Sequence, residues 1–90
     1  MDSFDRFREW LNDNTDYTKE TKSNIVSRLK RANNICSIIN EPVYLFKLSQ
    51  ETEFQNLTVS VKSQVKRAVK IYFKYIESEQ QGDYNVEKAN

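Results

Sequence analysis

A chain of 90 residues, 38% hydrophobic and 30% charged, has room for one small domain and is too apolar and aromatic for a disordered tail. One glycine and one proline are too few for the tight turns of a β-rich fold and suit long helices joined by short connections. The net charge is only +1, so any site for a polyanion has to come from the way charge is distributed.

The single cysteine, Cys36, excludes an internal disulfide, and the absence of histidine removes the commonest general base and metal ligand. No apolar run approaches the ~18 residues of a membrane span. The opening Met1-Asp2-Ser3-Phe4-Asp5 is acidic and unlike a signal peptide. A cytoplasmic location away from the membrane is the expectation.

The first predicted helix spans Ser3 to Leu11, with Ser3 as N-cap and Asp5 near the positive helix end. Phe4, Phe7 and Leu11 follow i, i+3, i+7 spacing and make an apolar face, which Trp10 flanks. Asn12-Asp13-Asn14-Thr15-Asp16 then ends the pattern, because these side chains compete for their own backbone.

The second predicted helix runs from Lys19 to about Ile39, capped by Thr18. Ile25, Leu29, Ala32, Cys36 and Ile39 fall on one face, with Val26 and Ile35 beside it. Pro42 is expected to stop the helix near Asn40.

Pro42 to Leu57 carries the weakest pattern. It reads as a helical turn over Val43 to Phe46, a break at Leu48-Ser49, and a short helix from Gln50 to Asn56 capped by Ser49, with Phe54 and Leu57 inward. One continuous helix from Pro42 to Asn56 is the alternative. The last predicted helix starts after its N-cap Thr58 and runs to about Ser78, with Val61, Val65, Ala68, Val69, Tyr72 and Ile76 as its core stripe and Tyr75 at the edge. The expected organisation is one domain over 1–78 and a flexible tail over 79–90.

The last helix also carries Lys62, Lys66, Lys70 and Lys74 at i, i+4 spacing, widened by Arg67, with no acid between Thr58 and Ile76. Residues four apart stack along a helix, and like charges so placed cost a few tenths of a kcal/mol per pair. The row is expected roughly opposite the core stripe, where it suits contact with phosphates; a lysine-rich solvated surface is the plainer reading. Arg28, Lys30 and Arg31 form a second basic group, and helices two and four packed side by side would join the two into one groove. Lys19 and Lys30 read as ordinary solubility charges.

Catalytic patterns are weak. Cys36 lies on an apolar face with no histidine to activate it, and reads as a core residue. Glu51 and Glu53 are two apart and do not share a helix face. Tyr72 lies on the core stripe without an Arg/His cluster around it. No P-loop or glycine-rich phosphate cradle is present, so no enzyme activity and no cofactor are expected. Phe4, Phe7 and Trp10 read as core packing rather than a base-stacking platform.

The order of these segments is similar to that of a known family. Phe7-Arg-Glu-Trp10-Leu11 opens the chain, and Tyr17-Thr18-Lys-Glu-Thr21 starts the second helix. Phe54-Gln-Asn-Leu57-Thr58 leads into a last helix holding Ala68-Val69-Lys70-Ile71-Tyr72-Phe73-Lys74-Tyr75-Ile76. Over about residues 4–77 this resembles the N-terminal core-binding domain of phage integrases and other tyrosine recombinases. The resemblance implies an all-α, four-helix SAM-like bundle that packs on one side of duplex DNA. It implies contacts from Arg28, Arg31, Lys62, Lys66, Arg67 and Lys70, which Lys74 continues along the row. The family's catalytic domain has no counterpart in this sequence, so recombinase activity does not carry over. The expected function is that of a DNA-binding module, either a stand-alone regulator of a phage or mobile element or a fragment of a recombinase. The alternative is a protein-interaction module that blocks a recombinase or repressor, which the near-neutral charge and the acidic segments 2–9 and 77–87 favour.

Overall fold

A computed structural model describes the backbone of residues 4–39 and 41–89 and the side chains of those up to Glu79. Every regular element among them is an α-helix: α1 (Asp5–Asn14), α2 (Lys19–Ile35), α3 (Tyr44–Gln50), α4 (Thr52–Gln55) and α5 (Val59–Ala89). The all-α expectation holds, with five helices in place of four because the third region is two short ones.

The helix starts follow local chemistry. The Thr18 hydroxyl accepts from the Thr21 N–H at 3.1 Å and caps α2. Thr58 does the same for α5, accepting from the Val61 N–H at 3.2 Å. Each satisfies one of the amides that a first turn leaves unpaired. The expected cap Ser3 lies outside the described residues; the N-cap position of α1 is Phe4, whose ring is buried. α1 runs to Asn14, three residues past the expected end at Leu11, and closes with the Thr15 hydroxyl donating to the Leu11 carbonyl at 2.6 Å.

The end of α2 differs from the sequence expectation. The helix stops at Ile35 and not near Ile39. The Asn33 side chain accepts the Ile38 N–H at 3.0 Å, pulling the chain out of helical register. The Tyr44 hydroxyl, close to the carbonyls of Ala32 (3.2 Å) and Cys36 (2.6 Å), holds the frayed end. Cys36 is therefore a half-buried C-cap with extended backbone, not a residue within the helix face.

The break in the third region also shifts. Ser49 lies inside α3, where its hydroxyl donates to the Phe46 carbonyl at 2.7 Å, and it caps nothing. The extended residue is Glu51, which separates α3 from α4. Phe54 is buried and Leu57 half-buried, both inward as expected.

α5 is the spine. Thirty-one residues at ~1.5 Å each make a rod of about 46 Å, close to the 49 Å long axis of the molecule. It continues to Ala89, beyond the expected end near Ser78; the expected mobility of the tail over 79–90 falls largely on side chains outside the described residues. Val65, Ala68 and Val69 are its most buried positions, and α2 packs against it through Ile25, Leu29 and Ala32. α1 crosses the middle of α5 through rings: Phe7 meets Tyr72 edge-on at 5.2 Å and Tyr75 at 5.5 Å, and Trp10 meets Tyr75 at 5.8 Å. Trp10 and Phe7 stack on each other at 6.2 Å, so these rings are packed among themselves. No helix among the described residues is long and apolar enough to cross a membrane.

Candidate nucleic-acid interface

Because α2 and α5 approach through Ala32, Val65, Ala68 and other small or branched side chains, their polar flanks come close along one edge. There the Arg28 Nε donates to the Gln64 side-chain oxygen at 2.6 Å, across 36 positions of sequence. The Arg28 Nη1 also donates to the Asn24 carbonyl one turn back, at 3.3 Å. The guanidinium is thereby fixed from two sides and keeps N–H donors to spare.

Arg28 stands between two clefts. One, of about 180 Å³, is lined by the polar Thr21, Asn24, Arg28, Gln64 and Arg67 and the apolar Ile25 and Ala68. The other, of about 480 Å³, lies along α2 between Asn24, Ser27, Arg28, Lys30, Arg31 and Asn34, with Val61 of α5 also lining it. Neither lining contains a carboxylate. α2 itself is free of acids from Thr21 to Ile35, and α5 from Val59 to Ile76. The two clefts adjoin at Arg28, with Arg67 lining the smaller and Arg31 the larger; none of Lys62, Lys66, Lys70 and Lys74 lines either, so of the basic row expected in a shared groove only Arg67 meets the α2 cations. Lys30, expected to be a solubility charge, lines the larger cleft. Lys19 and Lys22 line a separate cleft with Arg8 and Asn12 on the α1 side, where the Lys22 ammonium donates to the Asn12 side chain at 3.0 Å.

The lysine row does not lie wholly opposite the core stripe. A helix turns ~100° per residue, so each i, i+4 step drifts by ~40° and three steps carry the row ~120° around the axis. Lys62, at the start, is half-buried on the flank of the core. The Lys66 ammonium sits 5.8 Å from the centre of the Phe54 ring on α4, a cation–π contact on the side away from α2. Lys70 and Lys74 are exposed farther round the helix. Arg67 alone of this group turns into the groove with Arg28. The five cations from Lys62 to Lys74 thus divide into one groove residue, two that skirt the core and two on the outer surface.

Sequence periodicity does not single out Gln64, Asn24 or Thr21 as groove residues. Gln64 flanks the apolar stripe of α5 one turn before Ala68, and Asn24 precedes the stripe residue Ile25. Such flanking positions are where helix neighbours meet, but no spacing pairs position 28 with position 64.

The seam between α1 and α5 has the other sign. A cleft at the α1–α5 junction is lined by Glu9, Asp13 and Glu79 with Arg6, Trp10 and Asn14. Burial raises the pKa of the Tyr75 hydroxyl, Glu79 and Glu9 add to the shift, and Arg6 opposes it. No cluster of three or more Asp, Glu or Cys among the described residues could hold a metal ion. The chain has no match among family models, curated proteins or solved structures.

Proposed function

We propose that this chain is a non-catalytic cytoplasmic module that binds duplex DNA through backbone phosphates, as a regulator acting for a phage or mobile element. The observation that carries this reading is the pair of adjoining carboxylate-free clefts at the α2–α5 edge, which share Arg28 and are lined by Arg67 in one and Arg31 in the other. Guanidiniums match phosphate geometry with paired N–H donors, and contacts of this kind fix register on the duplex more than they read its sequence. Lys70 and Lys74 extend the positive surface beside the groove, and Lys62 and Lys66 contribute from its far flank. The likeness of the motif order to integrase core-binding domains supports the same reading and a SAM-like arrangement.

The test is fluorescence anisotropy with a short labelled duplex at two salt concentrations. With about four phosphates neutralised, affinity falls ~100-fold between ~50 and ~200 mM salt. Reversing Lys66 and Lys70 to Glu together weakens binding while the domain stays folded. No binding at the lower salt refutes the reading.

One observation favours a protein-interaction module as the second reading. Phe46, on the outer face of α3, is 65% exposed, and Val43 one turn earlier is 40% exposed. If this surface docks a recombinase or repressor, Phe46→Asp abolishes capture of that partner from nuclease-treated phage or host extract and leaves duplex affinity unchanged.

A further inference from the structure

The cation at the centre of the groove is held by a neutral side chain from the opposite helix, and this gives the two residues different parts. A free arginine loses side-chain entropy when it grips a phosphate. Arg28 has largely lost it already. Its Nε is committed to Gln64 at 2.6 Å and one Nη1 hydrogen to the Asn24 carbonyl at 3.3 Å. Three of its five N–H bonds are left, among them both on Nη2. Arg67 lines the same cleft of about 180 Å³, and the Thr21 side chain lies on its rim. Gln64 is also the right acceptor in kind. A carboxylate there would hold the guanidinium equally well but cancel the charge that attracts an anion.

We propose that this small cleft is a pocket for one backbone phosphate of duplex DNA, gripped by Arg28 and Arg67, with Gln64 as the positioning residue for Arg28. The inference rests on the DNA-binding reading and goes further by separating the groove from the lysine row. Arg28 and Arg67 make a directed contact to one phosphate, whereas Lys70 and Lys74 add diffuse charge. Gln64 touches no ligand and acts through the geometry of Arg28.

The experiment is a double-substitution cycle read by duplex affinity and by its salt slope, with thermal unfolding of each variant alongside. Gln64→Leu removes the acceptor and keeps the charge, so affinity falls about five- to tenfold while the slope against log salt is unchanged. Gln64→Glu keeps the acceptor and neutralises the guanidinium, so the slope falls by about 1. Arg28→Ala weakens binding about 10- to 30-fold and also lowers the slope by about 1; in that background Gln64→Leu has no further effect. A purely structural role for Gln64 would not separate the slope changes of Leu and Glu in this way. If wild-type protein binds duplex but Gln64→Leu matches it, or if the losses at Gln64 and Arg28 simply add, the pocket is overturned and the DNA-binding reading survives. If wild-type protein fails to bind duplex at low salt, both are overturned together.

Discussion

The two seams along α5 are built on opposite principles. Near the middle of α5, α1 packs by aromatic rings, a chain of contacts from Phe4 through Tyr72, Phe7, Tyr75 and Trp10 at 5.2–6.2 Å, and the rim carries Glu9, Asp13 and Glu79 with Arg6. Toward its N-terminal half, α2 packs through Ile25, Leu29 and Ala32 on Val65, Ala68 and Val69, and the rim carries Arg28, Arg31 and Arg67. Large rings bury much area and tolerate an uneven joint, while small side chains bring two helix backbones close enough for their flanking polar groups to meet. The first seam is closed by rings, and the second combines a tightly buried aliphatic core with a polar rim.

Phe7→Ala breaks the comparison most directly. It removes a ring that is 1% exposed and is expected to cost ~3–5 kcal/mol in chemical denaturation, while the protein that remains folded keeps its duplex affinity. A loss of affinity in the folded fraction would show that the seams are not separate.

Tyr44 tests the α2 side, because its hydroxyl secures the end of that helix. Tyr44→Phe leaves the carbonyls of Ala32 and Cys36 without this donor and is expected to cost ~1–3 kcal/mol. The same hydroxyl sets an alkaline limit. Burial, and then Cys36, raise its pKa above the ordinary value of 10.0, and burial also raises those of Tyr72 and Tyr75. The unfolded chain then loses these protons first, so it binds fewer than the native state, and stability falls as pH rises past about 10. The fully buried Tyr44 contributes a slope of up to ~1.4 kcal/mol per pH unit there. Denaturation midpoints between neutral pH and pH 11 should fall less steeply in Tyr44→Phe than in the wild type; equal slopes would remove Tyr44 as a cause.

Thr18 fixes the other end of α2. Thr18→Ala should cost ~1 kcal/mol by loss of the cap, seen as a lower melting temperature with hydrogen exchange accelerated first at Thr21 and Lys22. The smallest effect belongs to the aromatic seam. The Trp10 indole N–H is buried with no acceptor among the described residues, so Trp10→Phe forfeits some packing but relieves an unsatisfied donor. The two nearly offset, for a net change within ~1 kcal/mol. A larger loss would mean that the N–H has a partner, such as an ordered water.

The long elements were legible in the sequence because several local signals agree. Thr18 and Thr58 cap where expected, and Ile25, Leu29, Val65 and Val69 fall on the faces their spacing predicts. The expectation failed where one side chain outbid the pattern. Cys36 and Ile39 continue the apolar spacing of α2, but Asn33 captures the Ile38 amide and Tyr44 the carbonyls, and neither bond leaves a periodic trace. In the groove, charge was legible and direction was not. The i, i+4 lysines look like one row on paper, yet Lys66 leans over Phe54 while Arg67 turns toward Arg28. The pairing of Arg28 with Gln64 depends on how two helices dock, which no local spacing encodes.

Among the described residues the core holds no charged side chain, and Tyr44 is the one hydroxyl-bearing residue that is fully buried. Such an interior is specified by volume and periodicity rather than by particular partners, and apolar exchanges of similar size usually cost less than ~1.5 kcal/mol. A lineage built on it can replace most interior letters one at a time without leaving the fold. The slow-changing record of descent would then lie in the few positions that hold or use charge across helices, chief among them 28 and 64.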